Sequence, residues 1–316
     1  MTSCRQVTRR EMLALASALP LGAWIAGRGV AAEPAAALGL GFSLYGMRSL
    51  PLADALTVCA EIGYDCVELP VMKDWPADSA GFDKPQRETL KRQLTDRGLR
   101  LSALMENLPI FGDEDAHRQN LQRLRLAGDV AHALWNSPGP PIVETILGGK
   151  PAQWPEVKGQ MARRLEDWSK VAEAAGIVVA IKAHVGGAMH LPGHPAELVK
   201  QLNSKWIRAA YDFSHFRLRD VELPASIATL APLSVFVHVK DAAGDASKVR
   251  FLLPGEGDID YVALIRGLVQ SGYRGDVVVE VSGQIHGKAG YDPKQAARAS
   301  YRPLALAMKT AGVSRH

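Results

Sequence analysis

A repeated alternation of short β-rich runs with longer amphipathic runs is the feature that most restricts the fold of this 316-residue chain. The pattern occurs eight times. The predicted strands are Gly39–Gly46, Cys66–Pro70, Arg100–Glu106, Pro141–Leu147, Ile177–His184, Ile207–His215, Ser234–Ala242 and Asp276–Gly283. The helical patterns lie near residues 51–63, 83–98, 114–134, 156–175, 195–203, 221–231, 258–272 and 293–312. Eight such units over about 280 residues have the number and size of a (β/α)8 TIM barrel, a fold of the α/β class.

Glycines support these helix boundaries. The residue just before the next strand is Gly63, Gly98, Gly176 or Gly272 in four of the units, which is the position of a left-handed helix cap. A doubly wound open sheet is the alternative, but it calls for a glycine-rich phosphate loop after the first strand, and residues 46–49 lack that pattern. With no linker or low-complexity segment in view, we predict a single barrel domain over residues 33–316.

The first 32 residues have a different character. Arg9 and Arg10 lead into an apolar stretch from Leu13 to Ile25, and small residues follow up to Ala32. This order is typical of a secretory signal, and the paired arginines indicate the twin-arginine type. A retained membrane anchor is the alternative, but the apolar stretch is shorter than the ~20 residues that a span needs. The sequence therefore predicts a cleaved signal over residues 1–32 and a periplasmic or secreted protein.

The charge of the chain argues against some classes of partner. The formal net charge is +4, and most of it falls in the predicted signal, which leaves the mature part near +1. Nothing in that balance calls for a nucleic acid or an acidic membrane surface. We expect a small-molecule partner, no nucleic acid and no membrane span in the mature protein. Cys59 and Cys66 could form a disulfide after export, but two buried small side chains are the favoured interpretation.

Polar residues recur late in the predicted strands, on the face opposite the large branched side chains. Since side chains alternate along a strand, these residues share one face and project into the barrel. They are Glu144, Lys182, His184, Asp212, His238, Lys240 and Glu280, and Glu68 and Glu106 are expected to join them. Active sites of this fold are built at the C-terminal ends of the strands. Carboxylates and imidazoles in this mixture are typical ligands of a divalent ion such as Mn²⁺, Zn²⁺, Co²⁺ or Mg²⁺.

Several motifs resemble those of a known family. They are Gly63-Tyr64-Asp65-Cys66-Val67-Glu68-Leu69, Tyr211-Asp212-Phe213-Ser214-His215, Val237-His238-Val239-Lys240-Asp241, Leu253-Pro254-Gly255-Glu256-Gly257-Asp258-Ile259-Asp260-Tyr261 and Gly272-Tyr273-Arg274-Gly275-Asp276-Val277-Val278-Val279-Glu280. In order and spacing they resemble the sugar phosphate isomerase/epimerase group of xylose-isomerase-like TIM barrels. The resemblance covers nearly the whole mature chain and is more specific for the fold than for the reaction.

The resemblance implies a metal site that is incomplete here. In that family a divalent metal is typically held by a Glu, an Asp, a His and a Glu on strands five to eight, and Asp212, His238 and Glu280 match the last three. Strand five has Lys182-Ala183-His184 instead of the usual Glu-Asn-His. Either His184 or Glu144 completes the ligands, with His184 slightly favoured, or the metal site is weakened or lost. The Lys-x-His variant and the export signal together resemble a less characterised branch of the superfamily.

The resemblance also implies the chemistry. In such isomerases and epimerases the metal stabilises an enediolate formed when a base removes a proton next to a carbonyl. The alternative is a lyase or hydrolase that cleaves 3-keto-glycosides by β-elimination. A non-catalytic sugar-binding barrel is a further alternative. The candidate bases are Glu68, Glu106 and Glu144, and the candidate acids are His184, His215, Lys182 and Lys240.

Lys182 itself allows three interpretations. It could be a counter-ion of neighbouring carboxylates, a proton donor or oxyanion stabiliser, or a Schiff-base lysine. Export favours an unphosphorylated sugar as substrate, because phosphorylated sugars are intracellular. Trp75 and Trp154 are expected in loops after strands two and four, where they would stack on a sugar ring or cover the top of the barrel.

Overall fold

A computed structural model describes residues 37–316, together with Met1. The predicted signal over residues 1–32 falls, apart from Met1, outside the described residues. From Ala37 onward the described chain belongs to one compact unit. Within this part of the chain, no helix has both the length and the apolar character needed to cross a membrane.

Eight parallel strands close into a barrel, which confirms the predicted (β/α)8 fold. In chain order the strands of the structure are β1 Ala37–Ser43, β2 Cys66–Pro70, β3 Arg100–Met105, β4 Ile142–Ile146, β5 Val178–Lys182, β6 Ile207–Asp212, β7 Ser234–Val239, β8 Asp241–Ala243, β9 Arg250–Leu252, β10 Asp276–Val279 and β11 Ser314–Arg315. The barrel consists of β1 to β7 followed by β10, and the pairing of β10 with β1 closes it. Strands β8 and β9 form a separate antiparallel hairpin.

Helices connect the strands and cover the barrel. They are α1 Leu52–Ile62, α2 Lys84–Asp96, α3 Glu114–Leu134, α4 Trp154–Ala175, α5 Gly193–Leu202, α6 Phe213–Arg217, α7 Leu223–Leu230, α8 Tyr261–Gln270, α9 Gly283–His286 and α10 Pro293–Ala311. The four glycines expected at helix caps all have positive φ, as a left-handed cap requires. The short helix α6 begins within the predicted strand Ile207–His215, and α9 begins at Gly283, the last residue of the predicted strand Asp276–Gly283.

The interior of the barrel is filled mainly by small side chains from alternate positions, together with one phenylalanine. Its cluster comprises Ala103, Ala180, Ala210, Phe236 and Val278. Most of the other core residues pack between the strands and the helices. Strand β1 contributes glycine to the interior, since a Cβ on Gly41 would stand 2.7 Å from Cys66 Sγ. Cys59 and Cys66 are both buried and free, as favoured from the sequence.

One irregularity changes which side chains of β3 face inward. The register between β2 and β3 shifts by one residue, so that Val67 pairs with Leu101 but Glu68 pairs with Ala103. Because a one-residue shift moves the following side chains to the other face, Ala103 and Met105 take the interior parity. Glu106 consequently faces the helices.

Candidate active site

Charged side chains crowd the C-terminal end of the barrel. Each lies within a barrel strand or directly after one, and each is at most 8% exposed: Glu68, Glu144, Lys182, Asp212, His238, Lys240 and Glu280. On β5, β6, β7 and β10 they follow interior residues by two or four positions, so alternation along the strand brings them inward. Four carboxylates and two ammonium groups therefore share one buried space, and we call these six side chains with His238 the charged ring.

Lys182 lies among three members of the charged ring. Its Nζ is 2.7 Å from His238 Nδ1 and donates to Glu280 Oε1 at 3.2 Å. It also forms a 3.0 Å ion pair with Glu144 Oε1, at angles that do not make a hydrogen bond. Burial alone would lower the pKa of Lys182, but the carboxylates of Glu144 and Glu280 raise it above its ordinary value. Lys182 is thus a charged ammonium group held by opposite charges.

Lys240 joins the other side of the ring. Its Nζ donates to Asp212 Oδ2 and, at 2.6 Å, to Glu280 Oε2. The ammonium also lies 5.2 Å from the centre of the Phe251 ring, on the β8–β9 hairpin. Glu280 therefore bridges both lysines, one through each oxygen. Burial would raise the pKa of Glu280, but Lys182 and Lys240 hold it well below its ordinary value.

His238 connects Lys182 to Glu68. The ring nitrogen Nε2 lies 2.9 Å from Glu68 Oε2, and Nδ1 faces Lys182. Because Lys182 keeps its proton, Nδ1 accepts, and the ring proton is assigned to Nε2, which donates to Glu68. A continuous chain of polar contacts thus runs from Glu68 through His238 and Lys182 to Glu280.

Two acids of the charged ring retain buried oxygens without a hydrogen-bond donor. These atoms are Glu68 Oε1 and both carboxyl oxygens of Glu144. Burial raises the pKa of Glu144, against the lowering effect of Lys182. A buried carboxyl group with an uncommitted oxygen can take up a proton, which keeps both residues as candidate bases.

His184 and His215 lie beside the charged ring as a pair. Their rings are 4.4 Å apart, and His215 Nε2 is 3.4 Å from Asp212 Oδ2. His215 belongs to α6, where Asp212 caps the helix by accepting from the Ser214 amide, so one helical turn folds His215 back toward Asp212. Burial, followed by Lys240, lowers the pKa of His184 to about 4 and that of His215 well below its ordinary value. Both imidazoles are neutral at pH 7.

The neutral state of His184 predicts acid sensitivity. Its folded pKa of about 4 lies below its ordinary 6.5, so the unfolded chain binds the proton first and stability falls as the pH drops from 6.5 towards 4. Between pH 7 and pH 5 the free energy of unfolding should fall by about 2 kcal/mol more in the native protein than in His184→Gln. Urea unfolding at both pH values measures this difference. An equal loss of unfolding free energy between pH 7 and pH 5 in the two proteins would contradict the prediction.

Glu106 lies outside the charged ring, contrary to the expectation that it faces inward. Its Oε2 accepts from Arg123 Nη2 on α3 at 2.6 Å and from Ser79 Oγ at 3.4 Å. The register shift on β3 is the reason. Burial, opposed by Arg123, raises the pKa of Glu106 to about 7. The structure thus separates Glu106 from Glu68 and Glu144, the other candidate bases.

An aromatic wall next to the charged ring was not foreseen from the sequence as a unit. Tyr45 stacks on Trp75 with ring centres 5.2 Å apart and meets His286 edge-on at 4.7 Å, and Arg48 lies over the Trp75 ring. Burial raises the pKa of Tyr45, and the nearby charges of Glu280, which raises it, and Lys182, which lowers it, also act on this hydroxyl group. Tyr45 lies two residues after the end of β1, and its position near a strand end was the available signal. Trp154, expected in a loop, is instead the first residue of α4, and it stacks on His194 with ring centres 4.1 Å apart.

Two groups of acidic and histidine side chains have the composition of a metal site. Asp212, His238 and Glu280 have ligand atoms within 4.8 Å of one another, and so do Glu68, Glu144 and His238. His184 is in neither group. Lys182, however, is bonded to His238 and Glu280, and Lys240 to Asp212 and Glu280. As the side chains are arranged, the first group does not fit a divalent cation, since each of its members is already paired with an ammonium group or faces one.

Comparison with known proteins gives one family and several relatives. Residues 56–305 match the family described as xylose isomerase-like TIM barrel. An L-ribulose-5-phosphate 3-epimerase, UlaE, of Escherichia coli is 26% identical over 247 residues, covering 72% of this chain and 81% of that protein.

Solved structures show the same fold at lower identity. The 3-keto-D-glucoside 4-epimerase YcjR of E. coli, in its apo form, has a TM-score of 0.68 at 17% identity, covering 85% of this chain and 99% of the other. The IolI protein, solved with a bound zinc atom, has a TM-score of 0.72 at 17% identity, covering 86% and 99%.

Proposed function

Because the chain belongs to the xylose isomerase-like TIM barrel family, we propose that it is a sugar isomerase or epimerase that moves a proton at a carbon next to a carbonyl. The observation that carries the proposal is the charged ring, in which four carboxylates and two ammonium groups are buried together at the C-terminal end of the barrel. Epimerases among the relatives support the same reaction class.

The reaction needs a base for the carbon-bound proton and a positive group for the oxyanion that forms. Glu68 and Glu144 have carboxyl oxygens free to accept the proton. Lys240 makes two hydrogen bonds, to Asp212 and Glu280, and an ammonium group has a third proton to offer to a substrate oxygen. His184, which is neutral and partly exposed, is the imidazole that can contact a substrate hydroxyl group, and buried His215 packs behind it with ring centres 4.4 Å apart.

We propose an unphosphorylated sugar or keto-glycoside as the substrate. Tyr45, Trp75 and His286 offer ring faces and edges beside the charged ring, and such surfaces suit a sugar ring. The twin-arginine signal predicted over residues 1–32 supports a location outside the cytoplasm, where phosphorylated sugars are not the usual substrates. A 3-keto-glucoside is a natural member of the test panel because YcjR is described as acting on one.

The test is proton exchange on a panel of free ketoses and 3-keto-glucosides in D₂O, followed by NMR. An epimer or isomer carrying deuterium at the carbon next to the carbonyl is the expected product. Glu68→Gln and Glu144→Gln, compared with the native protein, identify the base by which of them loses exchange. Glu106→Gln is the matched control on the helix-facing side and should keep the exchange.

Other outcomes would replace this proposal. Release of the free aglycone from a 3-keto-glucoside would indicate elimination instead of epimerisation. Tight sugar binding without exchange or product, across the whole panel, would indicate a binding protein.

A further inference from the structure

We propose that Lys182 provides, within the chain itself, the positive charge that a divalent cation would bring to the group formed by Asp212, His238 and Glu280, so that this group works without a metal. The inference rests on the proposed function only for what that charge does to a substrate. Its structural part concerns which group occupies the space between His238, Glu280 and Glu144.

The first argument is competition for the same atoms. A metal ion bound to an imidazole lies about 2.1 Å from the nitrogen, along its lone pair. Lys182 Nζ lies 2.7 Å from His238 Nδ1 and uses that lone pair. It also occupies Glu280 Oε1. A cation could use these two ligand atoms only after Lys182 had been displaced.

The second argument is that Lys182 cannot easily leave. Its side chain is fully buried, and so is the carboxyl group of Glu144, 3.0 Å away. Moving the ammonium away would leave Glu144 as an uncompensated charge in the protein interior, which is strongly unfavourable. The surrounding carboxylates thus hold the lysine at this position.

The third argument is charge. A carboxylate at position 182 together with a divalent cation would carry a net charge of +1, and Lys182 carries the same +1 alone. The charged ring therefore has the same net charge with the lysine as it would have with a glutamate and a divalent metal ion at this position. The reverse exchange, Lys182→Glu, should for the same reason create a site that demands a divalent cation.

Metal content measured by mass spectrometry, and titration calorimetry with Mn²⁺, Zn²⁺ and Co²⁺, test the proposal. The native protein, purified without chelator from medium containing these ions, should hold far less than one ion per chain and bind none tightly. The Lys182→Glu variant should bind on the order of one ion per chain, and its melting temperature should rise when the metal ion is added. Lys170→Glu makes the same change of charge at an exposed side chain and should bind none.

Each result bears on the proposal. A stoichiometric metal in the native protein would overturn it, whatever the variant does. A native protein without metal supports it even where Lys182→Glu fails to fold. A folded Lys182→Glu that binds no better than Lys170→Glu would contradict the charge argument. Failure of the sugar panel would remove the proposed function and leave these metal measurements unaffected.

Discussion

Replacing Lys182 by methionine is expected to lower the free energy of unfolding by about 3–5 kcal/mol. The change leaves Glu144 and Glu280 facing each other across a buried space without the ammonium that now lies 3.0 and 3.2 Å from them. Urea unfolding at pH 7 measures the loss. Lys170→Met, at an exposed position, is the matched control and should change little.

A double variant separates the charge from the packing. Lys182→Met with Glu144→Gln removes one positive and one negative charge, and should recover part of the lost stability. If the single variant were as stable as the native protein, the ion pairs of Lys182 would make no net contribution to the stability of the fold. In the double variant we expect turnover to stay low, with kcat/KM reduced at least about 10²–10³-fold, because it lacks both the positive charge of Lys182 and Glu144, one of the two candidate bases.

Replacing Arg123 by methionine is expected to cost about 2–3 kcal/mol, less than a fully buried pair because the arginine is partly exposed. Arg123 is the cation paired with Glu106, whose pKa is already about 7 against an ordinary 4.5. Without it, that pKa rises further. A carboxyl group whose pKa is raised in the folded protein lowers the free energy of unfolding as the pH rises. The difference in this free energy between the native protein and the variant should therefore be larger at pH 8 than at pH 5.

Two variants control this result. Arg118→Met lies on the same helix at an exposed position and should leave stability within about 0.5 kcal/mol. Arg123→Met combined with Glu106→Gln should remove the pH dependence, because the titrating group is gone. A pH dependence that persists in the double variant would assign it to another group.

The strands and helices were largely predictable, because hydrophobic periodicity reports each element locally. Strand β2 and helix α3 have the predicted bounds, and most other ends differ by one or two residues. The larger differences lie at strand ends near the site. The predicted strand over 207–215 ends at Asp212, because that residue caps α6, and the strand over 234–242 gives way to the β8–β9 hairpin.

The sequence indicated which residues of the site face inward, but not which of them form ion pairs or hydrogen bonds with one another. Alternation alone indicates that Lys182, Asp212, His238 and Glu280 share a face. Which oxygen each lysine meets depends on barrel geometry, which one sequence does not encode locally. Glu106 was misplaced because a single extra residue in β3 reverses the alternation, and no composition signal marks it.

The short strand β11 has a consequence for the two ends of the barrel. Ser314 pairs with Ala37 and Arg315 with Leu38, and Arg315 is fixed by Asp65 and Tyr301. The beginning and the end of the barrel thus lie side by side, at the entry end of β1 and away from the charged ring. A short linker could join them, and new termini could be opened in an exposed loop elsewhere. The barrel is therefore suited to circular permutation, in which the chain would begin at a different strand of the barrel.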